Sequence, residues 1–292
     1  MTTIDRAGLV STRLRTPDAI AAAWDARRPG AVPGDGRLLI IAADHPARGA
    51  LGVREAGMAM ADRVDLLTRI AVALGRPGVD GVLATPDVLE GLLLLGLLED
   101  RIVFGSMNRG GLQGASFEFD DRFTAYDPAT IAAHGLDGGK MLTRIALDDP
   151  ATAPTLQACG AAVTDLASRG LFAMVEPFLS DRGPDGRARN LLDPDSVIRS
   201  IHIAAGLGAT SARTILKLPV VPEMSRVLDA TTLPTLLLGG DPGPDPAATR
   251  AGWRLALAHP SAVGLVAGRV LLYPQDDDVA TAVDAAAKLV HG

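Results

Sequence analysis

Residues 214–220 read TILKLPV. Five residues of strand-forming character are closed by a proline, and a lysine stands between two leucines. Apart from that lysine the run is apolar without alternation. Such a run is what a strand buried on both faces requires, and strands of that kind belong to parallel sheets covered by helices. The same unit recurs along the chain as a short apolar run, a loop and then a stretch with helical spacing. The apolar runs fall at residues 38–43 (LLIIAA), 81–84 (GVLA), 102–105 (IVFG), 139–143, 171–175 (LFAMV), 214–218, 235–238 (TLLL) and 263–267 (VGLVA).

Helical stretches follow at 63–74, around Leu92, and at 128–134, 151–169, 195–206, 222–228, 246–258 and 278–290. Asp193-Pro194 is a start signal for one of them. Alternating strands and helices imply parallel pairing with right-handed crossovers. Eight such units predict a closed (β/α)₈ TIM barrel. A doubly wound sheet is the competitor, and it is weakened because no GxGxxG follows the first strand. The barrel is expected over residues 37–292. Residues 1–36 are expected to be a helical extension, with a helix at 17–27 packed near the barrel's bottom.

A chain of 292 residues suits one such barrel, which takes about 250. With 48% hydrophobic and only 3% aromatic residues, the core must be built from Ala, Val, Leu and Ile. A net charge of -6 argues against a nucleic-acid surface. The N-terminus lacks the apolar stretch of a secretory signal, and residues 88–98 are too short to span a bilayer. The single cysteine, Cys159, reads as a buried helix residue and fits a reducing cytoplasm. Barrels of this kind commonly assemble, so a homo-oligomer is expected.

Chemistry in a (β/α)₈ barrel sits at the C-terminal ends of the strands. The polar residues expected there are Asp44 and His45, Lys140, Glu176, Lys217, and Gly268-Arg269. Lysine usage is the sharpest signal: only three of the 28 basic residues are lysines, yet two of the three lie inside apolar strands. A free lysine, with a pKa of about 10.4, is almost wholly protonated at neutral pH and has no lone pair to attack a carbonyl. Burial and a second cation both lower that pKa, and Lys140 can be the cation. Arginine cannot replace a nucleophilic amine. A structural ion pair inside the barrel is the plainer reading. Asp44 and Glu176 would serve as acid and base, although either alone could be an ordinary strand-end acid. His45 is read first as a structural hydrogen-bonding group. The remaining histidines are scattered, so no metal and no cofactor is expected. Gly239-Gly240 and Gly268-Arg269 follow the last two strands, where barrels frequently bind phosphate. The polar segment 106–127 is long enough to be functional or mobile.

Five short motifs in order carry a resemblance: ADHPARGAL (43–51), GLDGGKMLTRI (135–145), LFAMVEPF (171–178), TILKLPV (214–220), and LLLGGDP with GLVAGRVLL (236–242 and 264–272). Together they resemble the class I (Schiff-base) aldolases, closest to tagatose-1,6-bisphosphate aldolase, with the archaeal-type fructose-bisphosphate and deoxyribose-phosphate aldolases behind it. The resemblance implies Lys217 as the imine-forming lysine, with Lys140, Asp44 and Glu176 as its catalytic partners. It implies Arg48, Gly239, Gly240, Gly268 and Arg269 as substrate or phosphate contacts, with Pro46-Ala47 as an insertion before Arg48. It further implies a small phosphorylated ketose or keto sugar acid as substrate and dihydroxyacetone phosphate as a product. The chain is also similar to an actinobacterial subgroup associated with inositol breakdown, for which 2-deoxy-5-keto-gluconate 6-phosphate is the expected substrate. A deoxyribose-phosphate aldolase-like enzyme and a non-catalytic sugar-phosphate-binding barrel are the alternatives.

Overall fold

The computed structural model describes residues 4–243 and 245–292. Eight parallel strands close into a barrel: β1 (Leu38–Ala42), β2 (Gly81–Ala84), β3 (Ile102–Ser106), β4 (Gly138–Ile145), β5 (Phe172–Arg182), β7 (Thr214–Leu218), β8 (Thr235–Leu238) and β9 (Ala262–Ala267). The ring is β1-β2-β3-β4-β5-β7-β8-β9, and β9 pairs with β1 to complete it. Helices α3 (Arg63–Leu74), α4 (Pro86–Leu94), α5 (Pro128–Ala133), α6 (Thr152–Ser168), α7 (Pro194–Ala205), α8 (Met224–Leu228), α9 (Pro246–Leu257) and α11 (Val279–His291) lie between and after the strands, with the one-turn α10 (Arg269–Leu272) inserted after β9. No helix among the described residues is long and apolar enough to cross a membrane.

Local sequence starts three of these helices in the same way. Asp127-Pro128, Asp193-Pro194 and Asp245-Pro246 each place an Asp side chain on the first free backbone N–H groups and a proline at the first helical position. The proline has no N–H to lose and its φ is already helical, and the carboxylate complements the helix dipole.

Strand parity divides the apolar residues into two cores. Leu38, Ile40, Ala42, Leu83, Ile102, Phe104, Met174, Ile215, Leu236 and Val266 pack together inside the ring. Their neighbours Leu39, Ile41, Val82, Val103, Met141, Val175, Leu216 and Leu237 face the helices and join the larger core. This is why the strands read as unbroken apolar runs: each face has an apolar layer to meet.

The structure departs from the expectations in two places. The N-terminal part holds two helices, α1 (Arg6–Arg15) and α2 (Asp18–Ala26). Helix α1 buries none of its residues and has little apolar pattern to read. Arginines hold it in place, with Arg6 on Asp62 at 3.1 Å and Arg13 donating to the Asp87 carbonyl at 3.2 Å. After α2 the chain runs beneath the barrel, where Gly30 N–H donates to the Arg101 carbonyl just before β3. The second departure is β5, which does not stop near Val175. It continues through Pro177 to Arg182 and folds back antiparallel as β6 (Ala188–Asn190). Strand β4 extends beside it, pairing Arg144 with Phe178 and Ile145 with Leu179. Together they make an arm that rises above the barrel mouth. Pro177 and the polar 181–187 turn disguised it as a strand end.

Candidate active site at the barrel mouth

Period-two alternation, carried one step above the inner apolar core, yields the site. Ile215 points inward, so Lys217 does as well. By the same count Glu176 follows Met174, Ser106 follows Phe104 and Asp44 follows Ala42, while register places Lys140 beside Ser106 and Met174. Asp44, Lys140, Glu176 and Lys217 are all buried, Asp44 fully so. Glu176 is not at a strand end, as the sequence suggested, but midway along the extended β5.

These side chains form a chain of alternating charge. Lys217 Nζ lies 3.1 Å from Glu176 Oε1. The other carboxylate oxygen, Oε2, is in close contact with Lys140 Nζ. Lys140 Nζ also donates to Asp44 Oδ2 at 3.1 Å. That same oxygen also meets the guanidinium of Arg109, whose Nε donates to Ser106 Oγ at 3.1 Å. Burial lowers the pKa of Lys217 against the opposing pull of Glu176, with Arg109 and Arg269 adding to the drop. Burial, and after it the Arg109 charge, pushes Lys140 well below the ordinary lysine range. Burial alone would raise Glu176, but the charges of Lys140 and Lys217 overcome it and hold the carboxyl well below its usual range. Burial brings Arg109 down to about 10, which leaves it cationic at neutral pH.

Arg109 was not among the residues singled out in the sequence. It arrives on the polar segment after β3, which is neither helix nor strand yet is firmly docked. Met107 N–H donates to the Lys140 carbonyl at 2.9 Å. Asn108 then imitates a strand, its Oδ1 accepting from Leu142 N–H at 2.7 Å and its Nδ2 donating to the Leu142 carbonyl at 2.5 Å. Further on, Glu118 and Asp121 are clamped by Arg144 of β4, with Arg144 Nε 2.9 Å from Asp121 Oδ2. All three of those side chains are buried. The one available clue was Arg144 itself, an arginine continuing the strand that carries Lys140.

The charged chain opens on a cavity of about 650 Å³ lined by His45, Arg48, Arg109, Glu176, Lys217 and Arg269, together with Gly239, Gly240 and Gly268. All the residues singled out for substrate contact therefore reach one cavity. His45 and Arg48 sit on a 3-10 turn, His45–Arg48, directly after Asp44. His45 does not take up the structural hydrogen bond expected of it: its Nδ1 has no hydrogen-bond partner among the described residues and lies 3.8 Å from Asp44 Oδ1. Burial, helped by Arg269 and Lys217, holds His45 well below its ordinary pKa and so neutral. Arg48 Nη1 likewise has no partner among the described residues. Gly240 turns the chain with φ +68°, and a Cβ on Gly268 would stand 2.3 Å from the Ala42 carbonyl oxygen. Arg269 is paired with Asp241, a carboxylate that an incoming anion would have to displace. A second, mostly apolar cavity of about 540 Å³ between α9, α10 and α11 shares Trp253 and Thr249 with the first but contains neither lysine.

Among the described residues no group of three or more His, Cys, Asp or Glu side chains is arranged to hold a metal ion. Among curated proteins none matches the sequence. The crystal structure of Cgl0159 from Corynebacterium glutamicum is similar at 54% identity, covering 98% of this chain and 96% of that one with a TM-score of 0.95. An archaeal fructose-1,6-bisphosphate aldolase, with its catalytic lysine covalently bound to the carbinolamine intermediate of its substrate, matches with a TM-score of 0.65 at 17% identity, over 94% of this chain and 100% of that one. A fructose-bisphosphate aldolase from Slackia heliotrinireducens matches with a TM-score of 0.67 at 14% identity, over 99% and 90%. At those identities the likeness is one of fold. Residues 36–287 match the family described as Cgl0159-like, and the chain belongs to that family.

Proposed function

We propose that the protein is a class I aldolase that cleaves a phosphorylated ketose or keto sugar acid through an imine on Lys217. The observation that carries this reading is the inward-facing amine of Lys217, buried and 3.1 Å from Glu176 at the floor of a cationic cavity. The neutral amine adds to the ketone carbonyl, and Glu176 passes the protons that let the carbinolamine lose water. The iminium then draws electrons from the bond between the third and fourth carbons. Asp44 takes the proton of the hydroxyl on the far carbon of that bond, the fourth carbon of a ketose or the third of a 5-keto sugar acid, the aldehyde leaves, and an enamine remains. Protonation of the enamine and hydrolysis of the imine release dihydroxyacetone phosphate and restore Lys217. Lys140, held between Asp44 and Glu176, helps keep Glu176 ionised.

The finer reading is 2-deoxy-5-keto-gluconate 6-phosphate, split to dihydroxyacetone phosphate and malonate semialdehyde. Its support is the resemblance to the inositol-associated subgroup and a cavity lined by two arginines, Arg48 and Arg269, for a substrate that carries two anionic groups. A phosphate clamp in a non-catalytic barrel fits less well, because the two lysines enclose a carboxylate and not an open anion site.

Borohydride trapping with dihydroxyacetone phosphate, read by intact-mass and peptide mass spectrometry, tests the reading. The expected result is one adduct, on Lys217. A folded protein that yields no adduct with this ketone or with a panel of ketoses and aldehydes overturns it. An adduct with acetaldehyde alone would shift the assignment to the deoxyribose-phosphate type.

A further inference from the structure

The five buried groups at the mouth do not balance. Arg109, Lys140 and Lys217 bring three positive charges, and Asp44 and Glu176 bring two negative ones. The surrounding charges have their own arrangements. Arg269 is paired with Asp241, and His45 is neutral. Arg144 meets two carboxylates, Glu118 and Asp121, so that clamp carries one negative charge in excess. Arg48 supplies the positive charge that matches this excess, since Asp121 and Glu118 both act on it. One proton in the chain of five is therefore surplus, and burial makes a surplus charge costly.

The geometry says which member gives it up. Burial presses harder on Lys140 than on Lys217, but Lys140 touches two carboxylates and would lose both contacts with its proton, whereas Lys217 touches one, the Glu176 oxygen that Lys140 leaves free. Arg109 cannot lose a proton under ordinary conditions. Its position matters because it meets the same Asp44 oxygen as Lys140, Oδ2, and uses up part of that carboxylate's charge, while Oδ1 has no hydrogen-bond partner among the described residues. Without Arg109, two lysines would face two carboxylates and both ammonium groups would be matched.

We propose that Arg109, carried in by the loop after β3, is a positioning residue that shares Asp44 Oδ2 with Lys140 and thereby makes the amine of Lys217 the one surplus, dischargeable cation of the site. It acts through Asp44, Lys140 and Glu176 and need not touch the substrate. The groups bearing on Lys217 are Glu176 from β5, Lys140 from β4, Arg109 from the loop after β3, Asp44 and His45 from the segment after β1, and Arg269 at the start of α10. Of the cations, Arg109 is the one that lowers both lysines. The inference rests on the imine reading above.

The test uses acetylacetone, a small uncharged diketone that forms a chromophoric enaminone with a neutral lysine amine and has no phosphate for an arginine to hold. Its rate of adduct formation is followed against pH in the wild-type protein and in Arg109→Gln and Arg109→Lys. The expected result is a midpoint displaced upward by about one pH unit or more in Arg109→Gln, so that adduct forms about tenfold more slowly on the acid side. Arg109→Lys should return the midpoint most of the way, and peptide mapping should put the adduct on Lys217. Two results overturn the proposal: an unmoved midpoint in folded Arg109→Gln with weakened dihydroxyacetone phosphate binding, which would make Arg109 a substrate contact, or an adduct on Lys140. Wild-type protein that reacts with neither probe at any pH would instead remove the imine reading, and the proposal with it.

Discussion

Along each of four barrel strands, a step of two positions leads from an apolar side chain to a polar one on the same inward face. Ile215 gives way to Lys217, Met174 to Glu176, Phe104 to Ser106, and Ala42 to Asp44 across the strand end. Nothing in backbone geometry distinguishes the two layers. The lower one removes apolar surface from water and contributes to stability. The upper one buries five charges, and their desolvation opposes folding unless each finds a partner. The barrel therefore separates stability from chemistry by one inward-facing layer, and substitution of neighbouring inward residues should have opposite consequences.

The largest expected effect is on the upper layer. Lys217→Met should abolish borohydride trapping and reduce turnover by on the order of 10⁴-fold or more, as loss of a covalent nucleophile does. Its melting temperature should hold or rise, because Glu176 keeps Lys140 and the surplus charge is gone. A large destabilisation in that variant would break the division between layers. Next in size is the clamp behind the site. Arg144→Leu strands Glu118 and Asp121 without their buried partner and should cost about 3–5 kcal/mol in urea unfolding. Adding Glu118→Gln and Asp121→Asn should recover part of it. The lower layer is then sharpened by Ile215→Ala. It should cost about 2–4 kcal/mol through lost burial and an unfilled cavity, while Lys217 still accepts an adduct.

How much of this was legible follows from the same parity. An unbroken apolar strand that contains a lysine states that the lysine is unusual, and the inward count from Ile215 puts it in the barrel. Lys140, Glu176 and Asp44 could be found in the same way because each sits in or just beyond a readable strand. Arg109 could not. It stands in a polar, glycine-rich segment with no period, and its position depends on Asn108 copying a strand's hydrogen bonds and on Arg144 holding two acids from another element. Such contacts are long-range, and no local pattern encodes them. The β5–β6 arm was obscured for a different reason, since Pro177 is a strand terminator by local rules and is tolerated here because β4 extends beside it. Helix α1 was missed because arginine pairs, and not an apolar stripe, hold it.

The smallest effect compares the two ends of the barrel through two histidines. His45, at the mouth, is held well below its ordinary pKa by burial and then by Arg269 and Lys217. His291, at the bottom, is also disfavoured as a cation by burial, but Asp35 at 2.7 Å and Asp80 at 3.1 Å more than offset this and raise it. As pH falls below about 6.5, the unfolded chain takes up a proton at position 45 that the folded protein refuses. His45 therefore removes stability on the acid side, by at most about 1.4 kcal/mol per pH unit. His291 has the opposite sign: its contribution is full below the unfolded value and is lost as pH rises through the raised folded value. Urea unfolding of His45→Asn and His291→Asn between pH 5 and about 7.5 should show this directly. The first variant should gain on the wild type as pH falls, and the second should lose. Parallel curves for the two would mean that the mouth does not repel a proton at His45, and the cationic surplus on which the reading of Lys217 depends would go with it.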